Sequence, residues 1–114
     1  MTNVSATAGT IVTDYKSLGN WVGLATGNPG STSTPANEAT GGSPAYARQS
    51  TTWTVSGATA TGSSVTINVP AGTYSYMILC SGSSGNNMVD WCPISPQVIV
   101  SQTTITLTPV ANAT

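Results

Sequence analysis

The sequence predicts an all-β fold: a small antiparallel β-sandwich of about seven to eight strands, of the immunoglobulin-like or jelly-roll-like kind, with at most one short helix near the N-terminus. Three observations predict it. The 114 residues include 20 Thr and 15 Ser, and the apolar set is mostly Val, Ile and Ala, a vocabulary that suits pleated, half-buried strands better than helices. Residues 64–69, SVTINV, alternate Val65, Ile67 and Val69 against Thr66 and Asn68, the period of a strand with one buried face and one wet face. Clusters of Gly, Pro, Asn and Ser separate the apolar runs at short intervals, as turns do in antiparallel sheets. The length suits one domain with one core.

Each element follows from local chemistry. Residues 1–10 are small and polar and are expected to form a loose arm ahead of a single domain at 11–114. TDYKSLG at 13–19 has the residues for one helical turn, capped by Thr13 or Asp14 and stopped by Gly19. WVGLAT at 21–26 is a strand ended by the turn residues GNPG. From 27 to 44 no apolar period exists, so a long loop is expected there, of a length usually found at functional sites. ARQSTTWTV at 47–55 is the next strand, SGATATG a turn, and SVTINV the strand after it. TYSYMILCS at 73–81 is apolar on both faces, as a central strand between two layers would be.

SGSSGNN then turns the chain, and MVDWCPI at 88–94 returns along it. QVIVS and TITLTPV are expected to pair with each other around Gln102. Pro70, Pro93, Pro96 and Pro109 are assigned to strand ends, where a missing N–H costs least. The expected core is Trp21, Trp53, Val65, Ile67, Val69, Tyr76, Ile78 and Trp91; the chain has no Phe, so the other rings are expected to supply most of the bulk. Cys80 and Cys92 would face each other only if the hairpin turned about Asn86, and two thiols are the expected state for a chain folded in a reducing compartment.

Composition also excludes functions. Charged residues are 4% of the chain, with two Lys or Arg, three Asp or Glu and no His. Two cations cannot supply the counterion release that drives binding to phosphate backbones, so no nucleic-acid partner is expected. The missing imidazole removes the commonest general base and metal ligand. Asp14, Glu38 and Asp90 are the whole carboxylate supply, and no spacing sets two of them across a cleft. No metal or cofactor site is expected, and no enzymatic activity. YMILC is the longest strongly apolar run, far short of the roughly 20 residues of a spanning helix, and the first residues lack the pattern of an export signal; no membrane partner is expected.

One stretch stands out. ANEATGGSPAYARQSTTW, residues 36–53, carries one of the two cations and one of the three anions ten residues apart. The expectation is that Arg48 pins this loop by a charge-assisted hydrogen bond to Glu38 or to backbone carbonyls. Gly41 and Gly42 would make a sharp turn, Pro44 would stiffen the segment before the strand, and Tyr46 lies between them.

The same stretch carries a resemblance. A strand with Leu24 and Thr26, then GNPG, then NEATGGSPAYARQ and Trp53, continuing through VTINVPAGTYSYMIL, resembles a family of small virion proteins of tailed bacteriophages, over roughly residues 18–110. Its members are labelled head-decoration, minor tail or tail-fibre proteins. Where the commoner form of the pattern has a His in the first strand and an acidic residue before the Pro-Gly, this chain has Ala25 and Asn28.

The resemblance implies a non-enzymatic virion structural protein. The leading expectation is a capsid decoration or cement protein, bound in many copies to the outside of the head through the 27–44 loop and the N-terminal arm. Its partners would be the major capsid protein or other virion subunits, with self-association open. The alternatives are a minor tail, tail-fibre or baseplate component, and a carbohydrate-binding adhesion module on the virion.

Overall fold

The computed structural model describes residues 17–112, all but two of them in strands, turns and loops. Ser17 and Leu18 are helical; the rest of the expected helical turn and the arm at 1–10 lie outside the described residues. Nine strands follow: β1 Trp21–Ala25, β2 Gln49–Ser50, β3 Trp53–Ser56, β4 Thr59–Gly62, β5 Val65–Val69, β6 Gly72–Cys80, β7 Met88–Ile99, β8 Thr103–Leu107 and β9 Val110–Asn112. Every pairing is antiparallel.

The strands form two layers. The first is a four-stranded sheet in the order β2-β1-β6-β7. In the second, β5 pairs with β8 and β4 with β9, with β3 beside β4. The β4–β9 and β5–β8 ladders follow one another along the same two chain segments, joined where the Gly62 amide donates to the Pro109 carbonyl at 2.8 Å and Ser64 meets Thr108 at 2.7 Å.

The core between the layers follows from alternation. Val22 and Leu24 of β1, Tyr74 and Leu79 of β6, Val65, Ile67 and Val69 of β5, and Ile105 of β8 form one cluster. On β1 and β6 the residues that face the other way, Ala25, Ile78 and Cys80, form a second cluster with Met88 on the other face of the same sheet; a register shift between Tyr74 and Tyr76 turns Tyr74 inward with Leu79. That outer face is covered by the chain between β1 and β2. Truncating a fully buried residue such as Ile67 to Ala would cost about 2–5 kcal/mol.

Three details differ from what the sequence predicts. SGATATG is not wholly turn: Gly57, at φ 60°, makes the turn with Ala58, and Thr59–Gly62 is β4 with Ala60 fully buried. Ala and Thr carry too weak an apolar contrast for that alternation to register. QVIVS and TITLTPV do not pair with each other: β7 runs on to Ile99, opposite Gly72 of β6, while β8 crosses to β5. Pro93 and Pro96 consequently lie inside β7, which is possible because β7 is the outer strand of its sheet and its unpaired side needs no N–H.

The third concerns the rings. Val65, Ile67, Val69 and Ile78 are buried, but Trp21, Trp53, Tyr76 and Trp91 are half-buried around the two clusters. Leu24, Ile67, Ile78, Val22 and Val69 supply the bulk instead. Tyr76 and Trp91 meet edge to face at 5.4 Å, and the Trp53 indole donates to the Gly19 carbonyl at 2.9 Å; these three rings have polar or aromatic partners that hold them at the margin.

The state of the cysteines agrees with the expectation of two thiols. Cys80 lies opposite Met88 and Cys92 opposite Met77, because the hairpin turns about Ser84 with an irregularity at Leu79/Cys80. Met77 packs on the inner cluster and Cys80 belongs to the outer one, so the two thiols face opposite sides of the sheet. Both are free.

Candidate functional site: a charged lock under the long loop

Between Ala25 and Gln49 the chain has no strand, only a path laid over the first sheet. β2 covers only Trp21 and Val22 of β1, which leaves the rest of that β1 edge open. The loop completes it. Thr26 N–H donates to Asn37 C=O at 3.0 Å, Ala39 N–H to Leu24 C=O at 2.9 Å, and Ala25 stands opposite Glu38 as in a ladder. Paired residues share a face, so Glu38 projects on the same side as Ala25 and Gly23.

Gly23 makes room for what lies there. A Cβ at this position would collide with the Tyr46 hydroxyl and would sit 3.0 Å from Ile78 Cγ1 and 3.2 Å from Arg48 Cγ. Across the space runs Arg48, only 5% exposed. Its Nε donates to Glu38 Oε2 at 2.7 Å and its Nη2 to Glu38 Oε1 at 2.9 Å, the bidentate geometry that suits a planar guanidinium and a carboxylate. The other end reaches the β6–β7 turn: Nη1 donates to Asn87 Oδ1 at 2.8 Å and Gly82 C=O at 3.1 Å, and Nη2 to Gly85 C=O at 2.9 Å.

Tyr46 closes the arrangement. Its hydroxyl donates to Glu38 Oε2 at 2.8 Å and accepts from the Leu24 N–H at 3.1 Å. Burial, and secondarily the Glu38 charge, raise the phenol's pKa above its ordinary value, so it stays a donor. The hydrogen bond from Arg48 to Glu38 raises the guanidinium's pKa further. Burial pushes the neighbouring Cys80 thiol up to about 11. No buried side-chain N or O among the described residues lacks a partner.

The glycine pair forms the outer tip of the loop. Gly41 and Gly42 have φ of 86° and 98°, values that side chains disfavour. The turn is closed by Tyr46 N–H donating to Gly41 C=O at 2.8 Å, and the Ser43–Pro44 peptide is cis. Gln102, just after β7, holds the tip: its Oε1 accepts from Ser43 N–H at 3.1 Å and its Nε2 donates to Pro44 C=O at 3.0 Å.

The structure thus brings Glu38, Tyr46 and Arg48 into one cluster and places Gly41, Gly42 and Pro44 at an exposed tip beside it. The polar atoms of the cluster are turned inward, whereas the tip faces solvent. Sequence reasoning did not find Gly23, Asn87 or Gln102. The first two look like an ordinary strand glycine and one more turn residue; folding alone brings Tyr46 and Arg48 over Gly23 and Arg48 to Asn87 across 39 residues. Among the described residues no group of three or more His, Cys, Asp or Glu could hold a metal ion.

Fold and site define an all-β module in which a buried ion pair fastens a long surface loop to its own sheet. Over residues 6–112 the chain matches the model of a family described as Podophage GP4 fiber I protein gp80. The chain belongs to that family, and with it to the structural proteins of phage virions. No curated protein and no solved structure matches the chain.

Proposed function

We propose that the protein is a non-enzymatic subunit of a virion fibre, assembled beside other virion components. The observation that carries this reading is the family match over residues 6–112, whose description names a fibre protein. It favours the fibre alternative over the capsid-decoration expectation. Two physical features agree with it. A chain with 4% charged residues and a formal net charge of −1 can lie beside many neighbours without mutual repulsion. A loop fastened by five Arg48 hydrogen bonds presents a fixed surface, so little ordering entropy opposes docking of the 40–45 tip on a neighbouring subunit.

The reading is tested with gold-labelled antibody against the purified chain. Gold on appendages of intact particles supports a fibre subunit; gold spread evenly over the heads would restore the decoration reading. Gold on neither would end both.

A further inference from the structure

The three-stranded sheet β3-β4-β9 has an apolar face that extends past the core. Trp53 stands opposite Gly62, Val55 opposite Ala60, and Ala60 opposite Ala111, so these residues share one face. The other face carries Thr54, Ser56, Thr61 and Val110, all exposed. Trp53 packs against the inner cluster, but among the described residues neither cluster includes Val55, Ala60 or Ala111. Val55 and Ala111 are half-buried, and Ala60 is fully buried. A sheet that is apolar on one side needs a second layer over that side, and the core clusters reach this one only at Trp53.

The start of the described chain points to the cover. The Trp53 indole donates to the Gly19 carbonyl at 2.9 Å and the Thr51 N–H to the Asn20 carbonyl at 2.8 Å, which holds residues 19 and 20 at the head of β3. A Cβ on Gly19 would collide with the Cys80 carbonyl, so the chain is wedged there beside the end of β6. The residues before Ser17 therefore set out from beside Trp53. TIVTDYK, at 10–16, has Ile11 and Val12 side by side between two threonines, residue types suited to a pleated, half-buried setting. The stretch from Val12 to Ser17 reaches up to about 17 Å when extended, against about 13 Å for the four residues of β3. The pair can thus lie anywhere along this face. β3, β4 and β9 carry no charged residue, so covering them with aliphatic side chains desolvates no ion.

We propose that segment 10–13 of the same chain folds back over the β3-β4-β9 sheet and sets Ile11 and Val12 against Val55, Ala60 and Ala111. It gives this sheet the apolar layer that the four-stranded sheet gives β5 and β8. The inference rests on the sheet and on where Gly19 is held, not on the fibre reading, and either stands without the other.

The test is NMR on the purified full chain. Methyl–methyl NOEs are expected from Ile11 or Val12 to Ala60 or Ala111. In an equal mixture of isotope-labelled and unlabelled chains, filtered spectra that report only contacts between chains should not contain them. The Ile11→Ser/Val12→Ser variant should exchange its β3, β4 and β9 amides about tenfold faster, while β5 and β8 keep the parent rates and report that the sandwich is folded. NOEs found only between chains would overturn the proposal and assign the face to a neighbour's segment. Absence of these NOEs altogether, or parent exchange rates in β3, β4 and β9 of the variant, would overturn it as well.

Discussion

Replacing Glu38 by Ala removes two charge-assisted hydrogen bonds, at 2.7 and 2.9 Å, from a guanidinium that is 5% exposed. Breaking a buried ion pair from one side costs about 3–5 kcal/mol when the remaining charge is left without compensation. Arg48 keeps three neutral acceptors, on Gly82, Gly85 and Asn87, and the Glu38 side chain is itself 19% exposed. The loss should therefore fall at the lower end, about 3 kcal/mol. At about 4 °C per kcal/mol for a domain of this size, the melting temperature should drop by about 12 °C.

Arg48→Ala should cost less, about 2 kcal/mol, because the Glu38 carboxylate it leaves behind can hydrate. The Glu38→Ala/Arg48→Ala double variant should be close to the Arg48→Ala protein, giving a coupling of about 3 kcal/mol in the cycle. Thermal unfolding followed by circular dichroism measures all four proteins. A Glu38→Ala shift under about 2 °C, or single effects that simply add, would refute the reasoning that the pair is desolvated and fastens the loop.

Three further outcomes are expected. Burial raises the Cys80 thiol from 9.0 to about 11 and raises the Tyr46 phenol. The folded state thus holds these protons longer than the unfolded state, and the Cys80 contribution is complete below about pH 9 and lost as pH rises through about 11. Cys80 alone should account for roughly 3 kcal/mol of that alkaline loss; melting curves across the range should show a shallower slope in Cys80→Ala, and an unchanged slope would count against the assignment. Gly23→Ala should destabilise by about 1–3 kcal/mol through the collision with Tyr46, and should speed amide exchange at Leu24 and Ala39; exchange rates like those of the parent protein would show that the loop does not rest on Gly23. With a thiol reagent under native conditions, Cys92 should react well before the fully buried Cys80, whereas an intact mass showing an oxidised pair would contradict the register of β6 and β7.

What the sequence revealed, and what it hid, divides along the range of the interactions. SVTINV announces β5 because Val65, Ile67 and Val69 contrast sharply with Thr66 and Asn68, whereas GATATG conceals β4 because Ala60 and its Thr neighbours differ little in hydrophobicity. The prolines of β7 suggested a break, and only the strand's place at the edge of the sheet explains why it continues to Ile99. In the lock, the oddness of Glu38 and Arg48 in a nearly uncharged chain was visible from composition. Their setting was not: the open β1 edge, the empty space above Gly23 and the carbonyls of the β6–β7 turn are brought together by folding. The hydrogen bond from the Trp91 indole to the Gly30 carbonyl depends in the same way on folding, across 61 residues.

The most direct test of the account is a cryo-electron microscopy map of the intact virion, resolved well enough to trace strands. Density for the β2-β1-β6-β7 sheet is expected within a projecting fibre, with the 40–45 tip against a neighbouring subunit and Arg48 enclosed beneath the loop. Density for the fold on the capsid lattice, or particles whose fibres are fully accounted for by other chains, would contradict it.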